Sequence, residues 1–516
     1  MAAIPPGDAA IAAVPAPVRT GLKEVITTRQ FIFMALSSSI GAGLLLSTGQ
    51  TLAVGGPAPL LIAFVVVGFA VWITMCDLGE LSTNFPMKGS FYEFSVRFIS
   101  PAWGFAMGWN YVVNLVFVLP FEIIVMVMCA RFWNPGISAF YLTPAFILGL
   151  AVIYSFGATW YAEAENIFGL LKIIVIATFV VTALCILAGS VAADTGLSAY
   201  EAWHTEPFKN GTPGFFFAFT AAGMAYGGTE MLGLTAAECR SPQRVMKLAS
   251  RLVAGRIMLL YLLPVIMLGL VLKVDLASAS ASNDDNTTKE LISPFVLTVS
   301  QANIHILPDL MNAIIIVAIF SMANAAIFAS SRALQAISAR GMGPAFCARL
   351  YRDRPLGALI VVFAFSLLSF AKATRHGDEV FVWLLSLASC SNYLTWSSIC
   401  MAQVRCRLAL KRQGRSFNNL EAYRSPVGIA GSVLAIAIFA FGLVAQIAAA
   451  AKSPLSSPPP VASSFVGLLV VIVFWAGYVF YRRDDMLIIR LSTIEFESKR
   501  SEFIPVDTVE TERVTV

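Results

Sequence analysis

Two short glycine-bearing interruptions, residues 39–43 (SIGAG) and 226–230 (YGGTE), divide long apolar segments, one in each half of the chain. A helix in a lipid bilayer must satisfy its own backbone hydrogen bonds, so such breaks persist only where they line a cavity. A matching pair of breaks is typical of the substrate site of a secondary transporter. Freed N–H groups bind carboxylates, and freed carbonyls bind ammonium groups. The pair therefore predicts a site for a molecule that carries both groups, such as an amino acid.

The elements that must position these breaks are apolar segments long enough to cross a membrane. Hydrophobic residues make up 58% of the 516 residues, charged residues 13%, and the mean hydropathy is +0.77, whereas a soluble domain carries about 25% charge. Apolar stretches of about 20 residues, the length that crosses the hydrocarbon core, recur along the chain. We predict twelve spans: 30–54, 57–83, 101–132, 138–158, 167–189, 213–237, 253–273, 307–330, 355–371, 379–402, 427–449 and 463–481.

Basic residues set the orientation of these spans, because cytoplasmic loops concentrate Lys and Arg. With the N-terminus in the cytoplasm, 27 of the 35 basic residues lie inside and seven outside, while Lys172 lies within span 5. The main inside clusters fall at 240–256, 332–354 and 405–424, and Arg256 closes the first of them. The basic balance is thus a topogenic signal and does not indicate a nucleic-acid partner.

Residues that could do enzymatic chemistry are few and scattered. The eight cysteines lie in spans or on predicted cytoplasmic loops, so their spacing indicates neither a disulfide framework nor a metal site. No stretch outside the spans exceeds about 35 residues, which is too short for a folded catalytic domain. We predict that the protein is not an enzyme. The loop 274–306, predicted to lie outside, carries a candidate glycosylation site at Asn286.

Six motifs occur in order between residues 25 and 482: SSSIGAGLLLSTG (37–49), LGELSTNFPMKGSFYEFSVRFISPAWGFAMGWNY (78–111), LPFE (119–122), AYGGTEMLGLTAAE (225–238), NAAIFASSRALQAISARG (324–341) and VFVWLLSLASCSNYLTWSSICMAQVRCRLALKRQG (380–414). Together they resemble fungal amino acid permeases of the yeast amino acid transporter group, within the amino acid–polyamine–organocation superfamily. The block that begins FVWLL and ends QG is specific to this group.

The resemblance implies an all-α membrane protein with 12 transmembrane helices. Its core would be a 5+5 inverted repeat, helices 1–5 and 6–10 with helices 1 and 6 broken, plus two additional helices. The corresponding divisions are a cytosolic tail (1–26), the first repeat (27–189), the second repeat (213–402), helices 11 and 12 (427–481) and a second cytosolic tail (482–516).

The resemblance also assigns the substrate site to the two breaks. The predicted substrate-binding residues are Ser39, Gly41, Ala42, Gly43, Met224, Tyr226 and Gly227. The N–H groups of residues 41–43 would hold the α-carboxylate, and the carbonyls of Ser39, Met224 and Gly227 would hold the α-ammonium. Tyr226 would cap the substrate from outside. The alternative for each glycine break is close helix packing through small residues.

The sequence departs from the family pattern at two places in the first break. Ala42 stands where the family usually has Thr or Ser, and Ser37-Ser38 stands where it usually has Gly-Gly. Backbone donation survives both changes, because an amide N–H needs no neighbouring hydroxyl. We expect the changes to bear on substrate selectivity.

Glu230, Glu122 and Lys172 lie within spans, where charge is costly and usually functional. The resemblance makes Glu230 a gating and coupling carboxylate; the alternative is a helix cap. Glu122 ends a Pro-Phe-Glu sequence that matches the family's Pro-Leu-Glu motif. It faces the substrate or a proton path, or it bonds a neighbouring helix.

Lys172 lies about 9 Å along its helix from Asn166, near the cytoplasmic end of span 5. On position alone it could snorkel to the headgroups. Proton-coupled relatives, however, place a lysine of this span at the span 1 break, where sodium-coupled relatives bind their ion. We therefore expect a proton as the coupling ion and no other cofactor, with protonation of Lys172 linked to closure of span 1.

Three further polar residues are weaker candidates for the pocket that receives the substrate side chain or for a coupling site: Asn324, Ser391 and Thr395. The polar tails are candidate sites for ubiquitin and trafficking machinery.

The first interpretation is a proton-driven importer of L-amino acids in the fungal plasma membrane, with both termini cytosolic. Two alternatives stay open: a non-transporting amino acid sensor of the same fold, and a permease for polyamines or other cationic metabolites. The short segment before span 1 favours a transporter over a sensor. A site built for a carboxylate favours an amino acid over a polyamine.

Overall fold

A computed structural model describes the parts of the chain that carry the helices. The described residues are 26–85, 91–189, 201–237, 239, 242–272, 292–302, 304, 306–351, 354–373, 377–414, 423–452, 461–482, 488–494 and 496. Asn286 and most of both predicted tails lie outside them.

The described residues form helices joined by short connections. In chain order the helices are α1 Thr28–Ser37, α2 Ala42–Leu45, α3 Ser47–Gly55, α4 Pro57–Asn84, α5 Phe91–Phe98, α6 Pro101–Ala130, α7 Ala139–Phe156, α8 Ala158–Leu187, α9 Glu201–Thr205, α10 Gly211–Ala225, α11 Met231–Ala237, α12 Pro242–Arg256, α13 Leu263–Val271, α14 Pro294–Gln301, α15 Leu307–Ala339, α16 Ala345–Ala348, α17 Leu356–Ser366, α18 Gly377–Arg412, α19 Gly428–Ala451 and α20 Val461–Arg482. A π-helical turn, Ile257–Leu262, joins α12 to α13, and a 3₁₀ turn, Leu367–Ala373, continues α17.

Each of the twelve predicted spans coincides with helix. In the described part of the chain, eight helices are long and apolar enough to cross a membrane, and the bent pair 28–45 and 47–55 makes a ninth. The other three predicted spans are α10 with α11, interrupted by the second break; α17, a shorter apolar helix; and α18, which is long but carries many polar residues.

Local sequence signals explain where several helices begin. Thr27 and Gln30 form a capping box at the start of α1, each side chain bonding the other's backbone N–H. Ser100 caps α6 by accepting a bond from the Trp103 N–H, and Pro101 occupies the first helical position, where no N–H is needed. These caps fix the ends of two helices that carry or contact the breaks.

Helix burial separates the inner from the outer part of the bundle. In the most apolar 18-residue stretch of α6, 83% of the residues are buried, and in that of α15, 72% are buried. These two helices therefore lie in the interior. In α7 and α20 the shares are only 22% and 28%. Large apolar side chains on these outer helices, such as Leu148 and Phe480, are exposed, as expected for surfaces that contact lipid.

A group of largely buried polar residues joins α4, α18 and α19 near the predicted cytoplasmic face. We call it the basal cluster; its members are Asp77, Glu80, Gln403, Arg407, Ser425 and Ser432. Arg407 bonds both carboxylate oxygens of Glu80, from Nε to Oε1 at 2.8 Å and from Nη2 to Oε2 at 2.5 Å. Ser432 donates to Oδ2 of Asp77 at 2.7 Å. The cluster therefore ties three helices through side-chain contacts.

Candidate functional site

The first break separates α1 from α2 over residues 38–41. Gly41 has extended backbone angles. A little further along the chain, the segment that ends at Leu45 and the helix that begins at Ser47 meet at a bend of 48°. A Cβ on Gly41 would lie 2.7 Å from Cγ of Met322, and a Cβ on Gly43 would lie 2.7 Å from Cα of Ala225. These glycines therefore let α15 and α10 approach the break closely.

The second break separates α10 from α11 over residues 226–230. The Gly227 N–H donates to the Met224 carbonyl at 3.0 Å, and Gly228 has a φ of 89°, which favours glycine. Because Gly43, at the start of α2, lies against Ala225, at the end of α10, the segments that border the two breaks contact one another. The structure thus brings together the two segments that the sequence predicts as one site.

Three donors from other helices hold the carbonyls at the first break. Arg256 Nη1 donates to the Ala35 carbonyl at 3.1 Å, and Lys172 Nζ donates to the Ser37 carbonyl at 3.0 Å. The Tyr261 hydroxyl donates to the Ser39 carbonyl at 2.8 Å. The C-terminal carbonyls of a helix carry partial negative charge and lack helical partners, so cations stabilise this end. The Ser39 carbonyl keeps a second lone pair for a substrate ammonium.

A carboxylate occupies the opposite side of the first break. Oε2 of Glu122 accepts a hydrogen bond from the Ala42 N–H at 3.2 Å, and Glu122 is fully buried on α6. The sequence predicts that this N–H faces the substrate carboxylate. In this conformation it is bonded to Glu122, so substrate can reach it only if Glu122 withdraws.

Lys172 lies inside the fold and does not snorkel. Its side chain is fully buried, and it interacts electrostatically with Glu165 and Glu122. Glu165 is also fully buried and accepts bonds from Asn324 Nδ2 at 2.8 Å and Ser321 Oγ at 2.9 Å. Lysine, two carboxylates and the end of α1 therefore form one buried electrostatic group.

Glu230 lies directly before α11 and is nearly fully buried. Its Oε2 accepts a bond from the Trp396 indole at 2.9 Å. The backbone amides of Gly228 and Glu230 face this carboxylate, yet Oε1 has no partner with hydrogen-bond geometry among the described residues. A buried carboxylate oxygen without a partner is costly, and it is available to a ligand or a proton.

The chain matches the family model for amino acid permeases over residues 30–489. This protein belongs to the amino acid permease family. It is 36% identical over 492 residues to an uncharacterized amino-acid permease of Schizosaccharomyces pombe, covering 94% of this chain and 83% of that protein. It is 33% identical to a general amino-acid permease of Candida albicans, covering 93% and 82%, and 33% identical to a cationic amino acid transporter of S. pombe, covering 90% and 80%.

Family membership confirms the predicted resemblance and, with the described helices, the all-helical multi-pass membrane fold of this superfamily. The relatives carry the names of transporters and not of enzymes. The exact division into two inverted repeats and the roles of the site residues stay predictions.

Several predicted pocket residues already have partners within the protein. Tyr226 is fully buried, stacks on Tyr261 with ring centroids 4.7 Å apart, and donates to the Phe64 carbonyl at 2.9 Å. In this conformation it packs against α4, and its role as a lid stays a prediction. Ser391 donates to the side chain of Asn110 on α6 at 2.6 Å, as part of a contact between α18 and α6.

The side chain of Asn110 also contacts Thr395, another of the three weaker candidates. Asn110 Nδ2 donates to Thr395 Oγ1 at 3.2 Å. Asn324, by contrast, lies beside Glu165 and so belongs to the group around Lys172. Of the three weaker candidates, the structure therefore brings one to the coupling residues and ties two to α6.

The sequence interpretation was wrong for Arg256 and missed Glu165. Arg256 was counted among cytoplasmic loop residues, but it is fully buried and contacts both breaks. Glu165 was placed outside span 5, because the span was predicted from residue 167, whereas α8 begins at Ala158. Its spacing of seven residues from Lys172, which places both on one helix face, could have revealed it. We call Glu122, Glu165, Lys172, Glu230 and Arg256 the break cluster.

Proposed function

We propose that this protein imports L-amino acids across the plasma membrane by proton-coupled alternating access. The position of Lys172 carries the coupling part of the proposal. Its buried ammonium donates to the Ser37 carbonyl at the end of α1, 3.0 Å away. An ammonium can lose its proton, whereas a guanidinium at the same place would keep its charge. Loss of that proton removes the cation from the negative end of α1.

Backbone groups at the two breaks support an amino acid as the substrate. The first N–H groups of α2 have no partner within that helix, so Gly43 offers a donor to a carboxylate. The Ser39 and Gly227 carbonyls offer acceptors to an ammonium. Gly43 lies against Ala225 and Met224, where the two segments meet, and this contact supports a substrate with a carboxylate and an ammonium on the same carbon.

Glu122 links substrate binding to the group around Lys172. A substrate carboxylate that takes the Ala42 N–H must displace the Glu122 carboxylate. Glu122 and Lys172 interact electrostatically, so this displacement changes the charge balance at the lysine. Substrate and proton would then act on the same end of α1.

The moving unit of the proposal is the group of helices that carries the breaks: α1–α4 and α10–α13. Lys172 lies on α8, outside this group, and its bond to Ser37 crosses the boundary. Rocking of the group would make and break that bond. Protonation of Lys172 would therefore favour the conformation in which the bond is formed.

Uptake measurements in a permease-deficient yeast strain test the proposal. A labelled panel of neutral, basic and acidic amino acids and a polyamine is offered at acidic and at slightly alkaline external pH. We expect uptake of one amino acid class, higher at acidic pH, and its loss in Glu230→Ala. Glu163→Gln, at an exposed carboxylate of α8, is the matched control; its amide oxygen can still accept the bond from Gln30, so uptake should stay at the wild-type level.

Other outcomes would contradict the proposal in different ways. Correct surface delivery with saturable amino acid binding and no uptake would indicate a sensor. Uptake of the polyamine alone would indicate a cation permease. Amino acid uptake with no dependence on external pH would retain the substrate class and remove the proton coupling.

A further inference from the structure

The two breaks share a feature beyond their glycines: each follows the C-terminus of a half-helix. α1 ends at Ser37 and α10 ends at Ala225. Both ends lie among buried residues, and their carbonyls bond groups of the protein: the Ser37 carbonyl accepts from Lys172, and the Gly223 carbonyl from Asn392. Both ends also carry the partial negative charge of a helix dipole. A single cation placed between them can stabilise both.

Arg256 lies between these two ends. Its Nη1 donates to the Ala35 carbonyl in the last turn of α1 at 3.1 Å, and its Nη2 donates to Thr229 Oγ1 at 2.6 Å. The Thr229 hydroxyl in turn donates a hydrogen bond to the Tyr226 carbonyl at 2.7 Å. Tyr226 is the C-cap of α10. The guanidinium thus bonds α1 directly and is linked to the end of α10 through the Thr229 hydroxyl.

The backbone around Arg256 favours this bridging position. Arg256 immediately precedes the π-helical turn Ile257–Leu262, a distortion that is frequent at functional sites. Within that turn Tyr261 bonds the Ser39 carbonyl and stacks on Tyr226. One short segment of the chain therefore supplies contacts to both breaks.

We propose that Arg256 is a positioning residue that holds the two breaks in fixed register. That register sets the distance between the groups that receive the substrate carboxylate and those that receive its ammonium, so this inference rests on the proposed function. Arg256 lies on α12, within the group of helices that moves, whereas Lys172 lies outside it. The Arg256 bridge persists while the Lys172 bond is made and broken.

Arginine suits this role better than lysine. Its planar guanidinium presents donors in fixed directions, so one side chain can bond an acceptor on α1 and another in the second break. Nε has no partner among the described residues, which leaves the two terminal nitrogens to make the bridge. An ammonium has three donors but no rigid fork, so a lysine at this position would not hold the two acceptors at a fixed spacing.

The test is a double-mutant cycle on substrate affinity with Arg256→Lys, Thr229→Val and the combination. Each single variant should raise the KM for uptake about tenfold, the effect of losing about 1.4 kcal/mol of binding. The KM of the double variant should be no higher than that of Arg256→Lys, because both changes break the same bridge. The dependence of uptake on external pH should stay as in the wild type, because Lys172 is untouched and Arg256→Lys keeps the positive charge that interacts with it.

Matched controls separate the bridge from general damage. Thr235→Val removes a buried hydroxyl of α11 whose one bond among the described residues goes to the Met231 carbonyl of its own helix. Arg251→Lys changes an exposed arginine on α12. Both should keep the wild-type KM. Cell-surface labelling gives the amount of each variant at the membrane, so that a fall in delivery is not mistaken for weaker binding.

Two outcomes would overturn the inference. The first is a fall in surface amount or maximal rate with an unchanged KM, which is what a purely structural arginine would give. The second is a KM of the double variant that is raised by the product of the two single-variant factors, as expected for two independent effects. Failure of the proposed function gives a different result, because the unmodified protein then shows no amino acid uptake. Saturation binding of a labelled amino acid to purified protein then measures the same cycle as Kd values.

Discussion

The basal cluster and the break cluster both bury charged side chains, yet of the two, within the described residues, only the basal cluster holds a direct ion pair, between Arg407 and Glu80. In the basal cluster, carboxylates meet side chains: Arg407 bonds both oxygens of Glu80, and Ser432 bonds Asp77. In the break cluster, Glu165, Glu230 and Arg256 bond uncharged side chains, and the other two charges bond main-chain groups at helix ends. Lys172 bonds the Ser37 carbonyl and Glu122 bonds the Ala42 N–H.

The two clusters also differ in how completely their polar atoms are satisfied. All four carboxylate oxygens of Asp77 and Glu80 accept hydrogen bonds. In the break cluster Oε1 of Glu230 and Nε of Arg256 have no partner among the described residues. A satisfied network fixes one arrangement, whereas atoms left without partners can take new ones. The first arrangement suits a joint between helices, and the second suits a site that binds and releases.

The largest effect is expected in the basal cluster, on stability. Glu80→Gln removes the negative charge that Arg407 bonds through two nitrogens, and breaking a largely buried ion pair typically costs about 3–5 kcal/mol. We expect a clear fall in the melting temperature of the purified protein and in its amount at the cell surface. Uptake per surface molecule should change little. Glu163→Gln on α8 should melt like the wild type.

An unchanged melting temperature for Glu80→Gln would remove the distinction between the clusters. So would a loss of uptake per surface molecule with stability intact, because the basal cluster would then act in transport as the break cluster is proposed to do.

A smaller change in stability but a strong loss of transport is expected at the contact between the breaks. Gly43→Ala places a Cβ 2.7 Å from the Cα of Ala225, so the two breaks must move apart. We expect uptake to fall by at least about tenfold, the effect of 1.4 kcal/mol, while much of the protein still reaches the surface. Gly255→Ala is the matched control, since its Cβ meets nothing within 4 Å.

Uptake by Gly43→Ala at the wild-type rate would mean that the close approach of the breaks is not needed for transport. The glycine would then serve helix packing alone. That was the alternative for these small residues in the sequence.

Much of the fold could be predicted from the sequence, because its signals are local. Apolar length predicts all twelve spans, and glycines inside apolar segments predict both breaks. Burial of Lys172 at the end of α1 was expected from the family resemblance alone. Position along the helix did not distinguish it from a snorkelling lysine.

The partners of the site residues could not be predicted, because they come from distant parts of the chain. Nothing near Glu230 in the sequence indicates Trp396, and nothing near Ser39 indicates Tyr261. Arg256 was misassigned for a related reason. Counting basic residues at span ends identifies the cytoplasmic side but does not reveal which side chains turn inward.

The most direct test of proton coupling at the break cluster is the pH dependence of uptake in Lys172→Met. The substitution keeps a long side chain and removes the group that can exchange a proton. At matched surface amounts, we predict that the ratio of uptake at acidic to alkaline external pH falls from well above one in the wild type to about one in the variant. A Lys172→Met protein that transports with the wild-type pH dependence would contradict the account.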